Sequence, residues 1–206
     1  MWRSFLYPVG KYHPQYFNYI KWSFSSNVLI SMEQAMATHC MLHAINMDTQ
    51  SMQTASFIGK DIIGQLGGLV YASKMGNKAD EEPKTFLVYS NVIEQTGMLA
   101  QCITPMIPYY FLPIAGTANI LSNLSFMGYG AINAKCIQIM AVDNNLGELY
   151  TKITMINMIG SSVGLLLGVG VTILIPDHND RLVFVPLIGI ARIYTFNRAI
   201  SGIIKL

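Results

Sequence analysis

The sequence predicts an all-α, polytopic integral membrane protein with about six transmembrane helices. Two features of the composition support this prediction. Charged residues make up only 12% of the 206 residues, against roughly 25% in an ordinary soluble domain, and hydrophobic residues make up 52%. A third observation is that long stretches contain no charged side chain. The 13 basic and 11 acidic residues are too few to cover a water-soluble protein of this size.

The crossings are located by length and by the absence of charge, because a helix needs about 20 residues to span the hydrocarbon core. Residues 95–134 contain no charged residue. This stretch is long enough for nearly two crossings, and Pro105 and Pro108 predict a turn within it. Residues 153–176 are also uncharged, whereas the first three crossings each carry charged side chains. The six predicted crossings are 26–46, 51–75, 84–104, 109–140, 150–175 and 182–204.

Residues 1–25 are predicted to form an aromatic-rich interfacial segment ahead of a six-helix membrane domain of residues 26–206. The segment contains nine aromatic side chains, interspersed with Arg3, Lys11 and Lys21. Tyr and Trp rings beside cations prefer the headgroup layer of a bilayer. A docking surface for a partner protein is the alternative interpretation.

The basic residues of the connections predict the orientation of the chain. With six crossings, the N-terminus, the second and fourth connections and the C-terminus share one side. That side contains Arg3, Lys11, Lys21, Lys74, Lys78, Lys84, Lys152 and Lys205. The opposite side contains only one basic residue, Arg181. By the positive-inside rule, both termini are expected to face the cytosol, the matrix or the stroma.

Polar side chains recur at helical spacing within the crossings. The predicted stripes are Asn27, Ser31, Gln34 and Thr38; Asp61, Gly64, Gln65, Gly68 and Ala72; Asn91, Glu94, Gln95 and Met98; and Asn119, Ser122, Asn123 and Phe126. Polar groups in lipid are expected to face the interior of a bundle, where other helices can satisfy them. The stripes are interpreted either as structural hydrogen bonding or as a polar pathway for a solute.

Ionisable residues within the crossings predict a buried polar and ionic network. Its candidate members are Glu33, Lys60, Asp61, Glu94, Asn145, Lys152, Arg192 and Arg198, and Lys135 is a further buried candidate. An unpaired charge at the bilayer centre is costly, so ion pairs between helices are favoured over a proton relay. Lys60 and Asp61 point about 100° apart on a helix. They are therefore expected to pair poorly with each other within one helix, and each is expected to find a partner on another helix.

Small residues predict two faces at which helices pack closely. Gly160, Gly164 and Gly168 form two overlapping GxxxG steps, and Gly64 and Gly68 form a second small-residue face. Glycines allow two helix backbones to approach each other. The pattern leaves open whether the partner helix is in the same chain.

The sequence contains no recognised catalytic, cofactor or metal motif. His39 and His43 are one helical turn apart but lack the glutamate of a zinc-protease motif. The three cysteines, Cys40, Cys102 and Cys136, are far apart and are interpreted as buried small hydrophobic residues. With a net charge of +2, the chain has no sign of a nucleic-acid partner. We expect no enzymatic activity, no cofactor and no metal.

Several motifs occur in a recognisable order along the chain. They are Tyr7-Pro8-Val9-Gly10; Gln34-Ala35; Ile45-Asn46-Met47; Phe57 to Gly68 with Lys60-Asp61 followed by spaced glycines; Asp80 with Pro83-Lys84; Pro105, Pro108 and Phe111; Asn144 to Glu148 with Lys152, Gly160 and Gly164; and Arg198-Ala199-Ile200. In this order and spacing they resemble the root UVB sensitive family of membrane proteins, over nearly the whole chain.

The resemblance implies a membrane protein of plastids or other organelles, linked to seedling light responses, auxin and vitamin B6 homeostasis. Members commonly continue into a soluble C-terminal region, so the chain is expected to correspond to the membrane domain only. The family usually has acids where this chain has Asn91 and Gln95, and Asp where it has Glu148. Two fewer acids weaken the case for a transport function.

The leading functional hypothesis is a non-enzymatic accessory or scaffold subunit of a larger organelle-membrane complex. Its partners would be the lipid bilayer and other membrane subunits, with the mitochondrial inner membrane favoured over the plastid. The alternative is a small-solute carrier or channel-like transporter, because Pro113 and Pro186 fall inside predicted crossings and broken helices often mark substrate sites. The candidate contacts of that carrier are Lys60, Asp61, Glu94, Asn145 and Lys152.

Overall fold

The computed structural model describes residues 7–45, 50–75, 81–142 and 144–204. Six α-helices form in these ranges, and no strand does. The helices are α1 (Tyr16–Ile45), α2 (Gln50–Met75), α3 (Pro83–Ile103), α4 (Phe111–Met140), α5 (Leu146–Leu174) and α6 (His178–Ile200). The predictions of an all-α chain and of six helices are therefore confirmed.

Helix α1 begins well before the predicted first crossing at residue 26. Tyr16 and Tyr19 lie near the start of α1 and are buried. They pack with residues from the end of α4 and the start of α5. Burial of these rings explains why the helix extends toward the N-terminus. The predicted boundary between residues 25 and 26 does not correspond to a break in the backbone.

The turn predicted at Pro105 and Pro108 lies between α3 and α4. Two short 3-10 helices form there, Thr104–Met106 and Pro108–Tyr110, and each has proline in its first turn. Proline suits this position because its fixed φ matches the start of a helix and its missing N–H is not needed there.

The helices alternate in direction, so the connections gather at two ends of the bundle. At one end, a single apolar cluster contains Tyr16 from the start of α1, Met140 from the end of α4, Leu149 from the start of α5 and Ala199 from the end of α6. We call this the amino-terminal end. The opposite end contains the end of α1 and the start of α4, where Ala44 and Phe111 share a second cluster.

Helices α1 and α5 run parallel and approach each other through the glycines of α5. A Cβ atom at Gly160, Gly164 or Gly168 would lie 3.0, 2.2 or 2.8 Å from a backbone oxygen of α1, those of Phe24, Val28 and Met32 respectively. Only a glycine leaves room for a backbone at this distance. The partner of the GxxxG face is thus a helix of the same chain.

The second small-residue face joins α2 to α4. A Cβ atom at Gly64 would meet Asn119 at 2.6 Å, and one at Gly68 would meet Met127 at 3.1 Å. Among the described residues, α4 is the one helix with which α2 makes extensive contact. Helix α2 therefore lies at the edge of the bundle.

Two helical stretches are apolar and long enough to cross a membrane, judged by length and composition alone. They are α5 and the Asp180–Ile200 part of α6. The other four helices have 30, 26, 21 and 30 residues, which meets the length of a crossing, but their composition does not qualify them by the same measure. Six crossings therefore remain a prediction.

The described surface carries many large apolar side chains, and the interior holds charged ones. On α5, Leu166, Ile173 and Leu174 are 74, 73 and 81% exposed. Arg181 and Arg192 are the largest of the fully buried side chains. This distribution is the reverse of that in most soluble proteins, in which arginine is rarely buried.

The predicted stripes describe the buried faces only in part. Ser31, Asn91 and Glu94 are buried as expected, but Gln34, Gln65 and Phe126 are exposed. Spacing along one helix shows which residues share a face, while the position of the neighbouring helices determines how wide the buried arc is.

We predict that Gly164→Ala destabilises the bundle and that Gly170→Ala, on the same helix, does not. The new methyl group at position 164 meets the backbone oxygen of Val28, whereas nothing lies within 4 Å of a Cβ at position 170. Thermal or denaturant unfolding in detergent should show a loss of about 1–3 kcal/mol for Gly164→Ala and a gain of at most about 1 kcal/mol for Gly170→Ala. Equal effects of the two variants would contradict the close contact of α1 with α5.

Candidate functional site

A buried ion pair joins α1 to α6 in the interior of the bundle. Glu33 Oε2 lies 3.0 Å from Arg192 Nε, and the two side chains are 0 and 1% exposed. The two atoms have the separation of an ion pair without the alignment of a hydrogen bond, so the attraction is chiefly Coulombic. Burial of either charge alone would be strongly unfavourable, and pairing offsets this cost.

Polar groups from α3 and α4 complete this site. Gln95 Nε2 donates to Glu33 Oε1 at 3.1 Å, and Arg192 Nη1 donates to the Tyr129 hydroxyl at 2.5 Å. The Tyr129 hydroxyl in turn donates to Asn91 Oδ1. The site thereby connects α1, α3, α4 and α6. We call Glu33, Asn91, Glu94, Gln95, Tyr129 and Arg192 the central network.

Glu94 adds a second carboxyl group to the central network. It is buried, interacts electrostatically with Arg192 and lies beside Ser125. The network thus contains two carboxyl groups and one guanidinium. Its groups are suited to holding helices together or to binding a small polar molecule.

Besides the two atoms of the ion pair, two polar atoms of the central network are left without a hydrogen-bond partner among the described residues. They are Arg192 Nη2 and Gln95 Oε1. Gly189 of α6 makes room for the amide, because a Cβ there would lie 1.8 Å from Gln95 Oε1. An unpartnered buried donor and acceptor in one cluster are unusual, since most buried polar groups are satisfied.

Sequence reasoning found three members of the central network and missed the others as site residues. Glu33, Glu94 and Arg192 were candidates because they are ionisable. Asn91 and Gln95 were placed in a polar stripe but not in the network, although they flank Glu94 on one helical face. Tyr129 gave no signal, because a tyrosine within an apolar stretch resembles any other aromatic residue.

Lys60 and Asp61 form a separate site on α2, and the prediction that they would not pair is wrong. Lys60 Nζ lies 2.6 Å from Asp61 Oδ1, and it also lies 4.1 Å from the centre of the Phe57 ring. The lysine side chain has four methylene groups and bends far enough to overcome the angle between adjacent positions. Asp61 also accepts a hydrogen bond of 2.9 Å from Asn119 Nδ2 on α4, which is the expected contact with another helix.

Asn145 and Lys152 lie at the amino-terminal end, away from the central network. Lys152 Nζ lies 3.2 Å from Glu148 Oε1 and donates to the Tyr7 carbonyl at 2.5 Å. Asn145 Nδ2 donates to the Lys11 carbonyl at 2.9 Å. These residues, in the first turns of α5 and just before it, hold the segment that precedes α1, and we call Asn145, Glu148 and Lys152 the amino-terminal clamp.

The amino-terminal clamp is completed by Glu148, which accepts a hydrogen bond of 2.9 Å from the Val9 amide. This bond, together with the Lys152 ammonium, lowers the pKa of the Glu148 carboxyl below its ordinary value. Glu148 is in the first turn of α5 and precedes the predicted crossing. Asn144, just before the start of α5, has a φ of 55°. This is a left-handed conformation that asparagine tolerates better than most residues.

Arg198 is exposed, so the prediction that it is buried is wrong. It lies in the last turn of α6, with its guanidinium carbon 5.7 Å from the centre of the Trp22 ring. At the end of a helix a long cationic side chain can reach the surface, and its stem covers an aromatic ring on the way.

Arg181, which the sequence predicts in a connection, is instead buried at the start of α6. It donates to the backbone oxygens of Thr172, Ile175 and Pro176 at 3.2, 2.8 and 2.9 Å. It therefore satisfies carbonyl groups at the end of α5 that have no helical partner. Its Nη1 also lies 2.5 Å from His39 Nδ1.

His39 thus has a contact with an arginine. Three or more His, Cys, Asp or Glu side chains are nowhere grouped as metal ligands in the part of the chain that the structure describes. Cys40 and Cys102 are buried in one apolar cluster with Val185, and all three cysteines are free thiols.

Comparison with known proteins identifies the family. The family model described as the vitamin B6 photo-protection and homoeostasis domain matches residues 7–204. Protein root UVB sensitive 4 of Arabidopsis thaliana is 33% identical over 172 residues, which is 81% of this chain and 33% of that protein. The chain belongs to the root UVB sensitive family.

More distant members of the root UVB sensitive family align over the same region. Protein root UVB sensitive 2, chloroplastic, of Arabidopsis thaliana is 22% identical over 82% of this chain and 39% of its own length. RUS family member 1 of Dictyostelium discoideum is 24% identical over 82% of this chain and 33% of its own length. The chain spans about a third of the length of the curated relatives it matches. No solved structure matches it.

The motifs that carry the family resemblance lie at three different places in the fold. The Lys60-Asp61 pair faces α4 at the edge of the bundle. Asn145, Glu148 and Lys152 form the amino-terminal clamp. Asn91 and Gln95, at which the resemblance implies acids, are both in the central network, where the amides reduce the number of carboxyl groups around Arg192.

We predict that Arg192→Met destabilises the bundle by about 3–5 kcal/mol, because it leaves Glu33 and Glu94 buried without their counter-charge. The control is Arg198→Met, at the exposed end of the same helix, for which we expect a loss below about 1 kcal/mol. Unfolding in detergent measures both. In a double-mutant cycle, Glu33→Gln combined with Arg192→Met should cost less than the two single changes together. Strict additivity would show that Glu33 and Arg192 do not interact.

We predict that Glu148 stabilises the protein at neutral pH and loses this effect in acid. Its pKa is lowered in the folded state from an ordinary value of 4.5. A lowered pKa contributes stability above the ordinary value, and the contribution disappears as the pH falls through the folded pKa. The melting temperature of Glu148→Gln should therefore be below that of the wild type at pH 7, and the two should converge in acid. A constant difference across this range would contradict the role of the ionised carboxylate.

Proposed function

We propose that the chain is a six-span integral membrane protein and that it acts as a non-enzymatic accessory or scaffold subunit of a larger organelle-membrane complex. The distribution of charge is the observation that supports membrane insertion. Glu33, Glu94 and Arg192 are buried, while the outer side of α5 is apolar. Lipid favours this arrangement, because it solvates apolar side chains and leaves polar groups to be satisfied inside the bundle.

The alternation of the helices supports six crossings with both termini on one side. The ends that gather at the amino-terminal end belong to the N-terminus, the fourth connection and the C-terminus. These parts of the chain contain five of the eight basic residues that the sequence analysis places on that side, namely Arg3, Lys11, Lys21, Lys152 and Lys205. The positive-inside rule would then put the amino-terminal end of the bundle in the cytosol, the matrix or the stroma.

The accessory role is supported by the way in which the central network connects four helices. Glu33 and Arg192 are paired, and Gln95 and Tyr129 hold the pair from α3 and α4. Such a network resists separation of the helices. A bundle whose helices are connected in this way is suited to supporting partner subunits.

The organelle is part of the proposal. One relative carries the word chloroplastic in its name, which supports an organelle location. The mitochondrial inner membrane, favoured by the sequence analysis over the plastid, stays a prediction. Location of the tagged chain by fractionation, with markers for both organelles, tests it.

A carrier for a small polar solute is the second candidate function, and one observation favours it. Arg192 Nη2 and Gln95 Oε1 are buried without partners, so they could bind a molecule that has both an acceptor and a donor. Pro186 lies inside α6, between the start of the helix and Arg192, and it removes one backbone N–H from the hydrogen bonding of the helix.

The first test is the state of the protein in native membranes. We expect it to run on a native gel, after mild solubilisation, in a stoichiometric complex far above its own 22.8 kDa, with partners identified by mass spectrometry. Migration alone or as a small homo-oligomer would overturn the accessory role. Labelling of single cysteines with a membrane-impermeant maleimide tests insertion separately: positions within the six crossings should stay unlabelled in sealed vesicles.

The second test separates the two functions through Asp61. Under the accessory role, Asp61→Asn should lower assembly or stability, because Asp61 binds Lys60 and Asn119. Neither the wild type nor the variant should then take up solute in proteoliposomes. Under the carrier role, the same change should abolish uptake by proteoliposomes. Asp180→Asn, an exposed position, is the control and should alter neither. If the wild type takes up solute and Asp61→Asn abolishes this uptake without a loss of stability, the carrier role is favoured.

A further inference from the structure

The apolar cluster between α1, α3 and α6 is rich in sulfur. Four of its six buried members are Met36, Cys40, Met98 and Cys102, which are 0, 0, 3 and 0% exposed. We call these four residues the sulfur site. Aliphatic side chains would fill the same space, and they hold their conformations better than methionine does. Packing alone therefore gives no reason for this concentration of sulfur.

The sulfur site is built from two parallel helices in register. Helices α1 and α3 each contribute a methionine and, four positions later, a cysteine. Gln95 on α3 donates to Glu33 on α1, which is 62 positions earlier in the chain, and the Cys102 thiol lies beside the Cys40 thiol at the same offset. The two methionines have this offset too and lie between these contacts. Because four residues of a helix rise about 6 Å, the methionines and the cysteines form two adjacent layers.

A buried positive charge lies next to the sulfur site without a counter-charge. Arg181 is 1% exposed and lies beside the Cys40 thiol. Its other partners are three carbonyl oxygens and the His39 ring, and it is paired with no carboxylate in the part of the chain that the structure describes. A buried guanidinium is unfavourable until an anion compensates it. A thiolate at position 40 would supply that anion.

We propose that the sulfur site binds one Cu(I) ion, with the thiolates of Cys40 and Cys102 and the thioethers of Met36 and Met98 as its ligands. Thiolate and thioether sulfur are soft ligands, and a set that contains both favours Cu(I) among the first-row metals. Zn(II) sites instead use thiolate, imidazole and carboxylate ligands, and half of this set is thioether.

Binding at the sulfur site needs neither an oxidant nor a reductant. Each cysteine releases its thiol proton to solvent as its sulfur binds the ion, the thioethers bind without losing a proton, and copper stays in the +1 state. Two thiolates and one Cu(I) carry one net negative charge, which the Arg181 guanidinium neutralises. The group as a whole is then uncharged, which suits a buried site.

The expectation that the chain binds no metal rests on the spacing of histidines and cysteines, and thioethers are outside that reasoning. The signal in the sequence is one methionine–cysteine spacing that occurs in two helices, as Met-Ala-Thr-His-Cys and Met-Leu-Ala-Gln-Cys. The inference is independent of the proposed membrane insertion and accessory role, because the sulfur site lies in the interior of the bundle in either case.

The first test measures Cu(I) binding by the full chain in detergent, under argon and with ascorbate, in competition with the chelator bathocuproine disulfonate. We expect one Cu(I) per chain. Met36→Leu and Met98→Leu keep the side-chain volume and should each weaken binding at least tenfold, since even the loss of a residue that only supports a ligand costs roughly 10- to 100-fold. Cys40→Ala and Cys102→Ala should weaken binding further.

The matched control is Cys136→Ala combined with Met140→Leu. These two residues are fully buried and have the same spacing of four on α4, but the described members of their cluster include no second sulfur pair. The control should bind Cu(I) as tightly as the wild type. The melting temperature without copper, measured for every variant, separates loss of the site from loss of the fold. Equal losses of affinity in the control and the site variants, or unchanged affinity in both methionine variants, would overturn the proposal.

The second test identifies the ion and its ligands. X-ray absorption at the copper edge should show a shell of sulfur atoms alone in the wild type and fewer sulfur atoms in Met36→Leu. A shell that contains nitrogen would place the ion at a histidine and would overturn the sulfur site. An equal affinity for Zn(II), or a disulfide between Cys40 and Cys102 in protein isolated under argon, would overturn it as well.

Discussion

The ion pair of Glu33 with Arg192 is the constraint on which the central part of the structure depends. Both side chains are fully buried, and an interior without water makes each charge unfavourable unless the other is present. The pair therefore fixes how α1 lies against α6. Gln95 and Tyr129 then bring α3 and α4 to the same point, so four helices share one electrostatic centre.

Close packing of glycine faces holds the outer helices to this centre. Gly164 brings the backbone of α5 against that of α1, and Gly64 brings α2 against α4. Packing of this kind depends on van der Waals contact and not on exclusion of water, which makes it equally effective between helices in lipid. The polar centre and the glycine faces together connect all six described helices.

Some of the candidate site was accessible to sequence reasoning, and the reasons for the failures are physical. A charged residue in an apolar stretch must be paired, which is why Glu33, Glu94 and Arg192 were candidates. Arg198 is exposed instead, because a residue in the last helical turn can reach the surface. Tyr129 carries no charge, and its role appears only when Arg192 is placed beside it. The pairing of Lys60 with Asp61 depends on a side-chain conformation that spacing does not reveal.

The sequence by itself determined the number of helices, the turn between the third and fourth, and the small-residue faces. These features follow from local causes: the absence of charge over a helix length, proline at a helix start and glycine at every fourth position. Only the tertiary structure decided which helices are neighbours. Gly164 packs on Val28 of the same chain. Glu33 forms its ion pair with Arg192, which is one of several basic residues in the predicted crossings. Such choices depend on contacts between residues far apart in the chain, and periodicity within one helix carries no information about its partner.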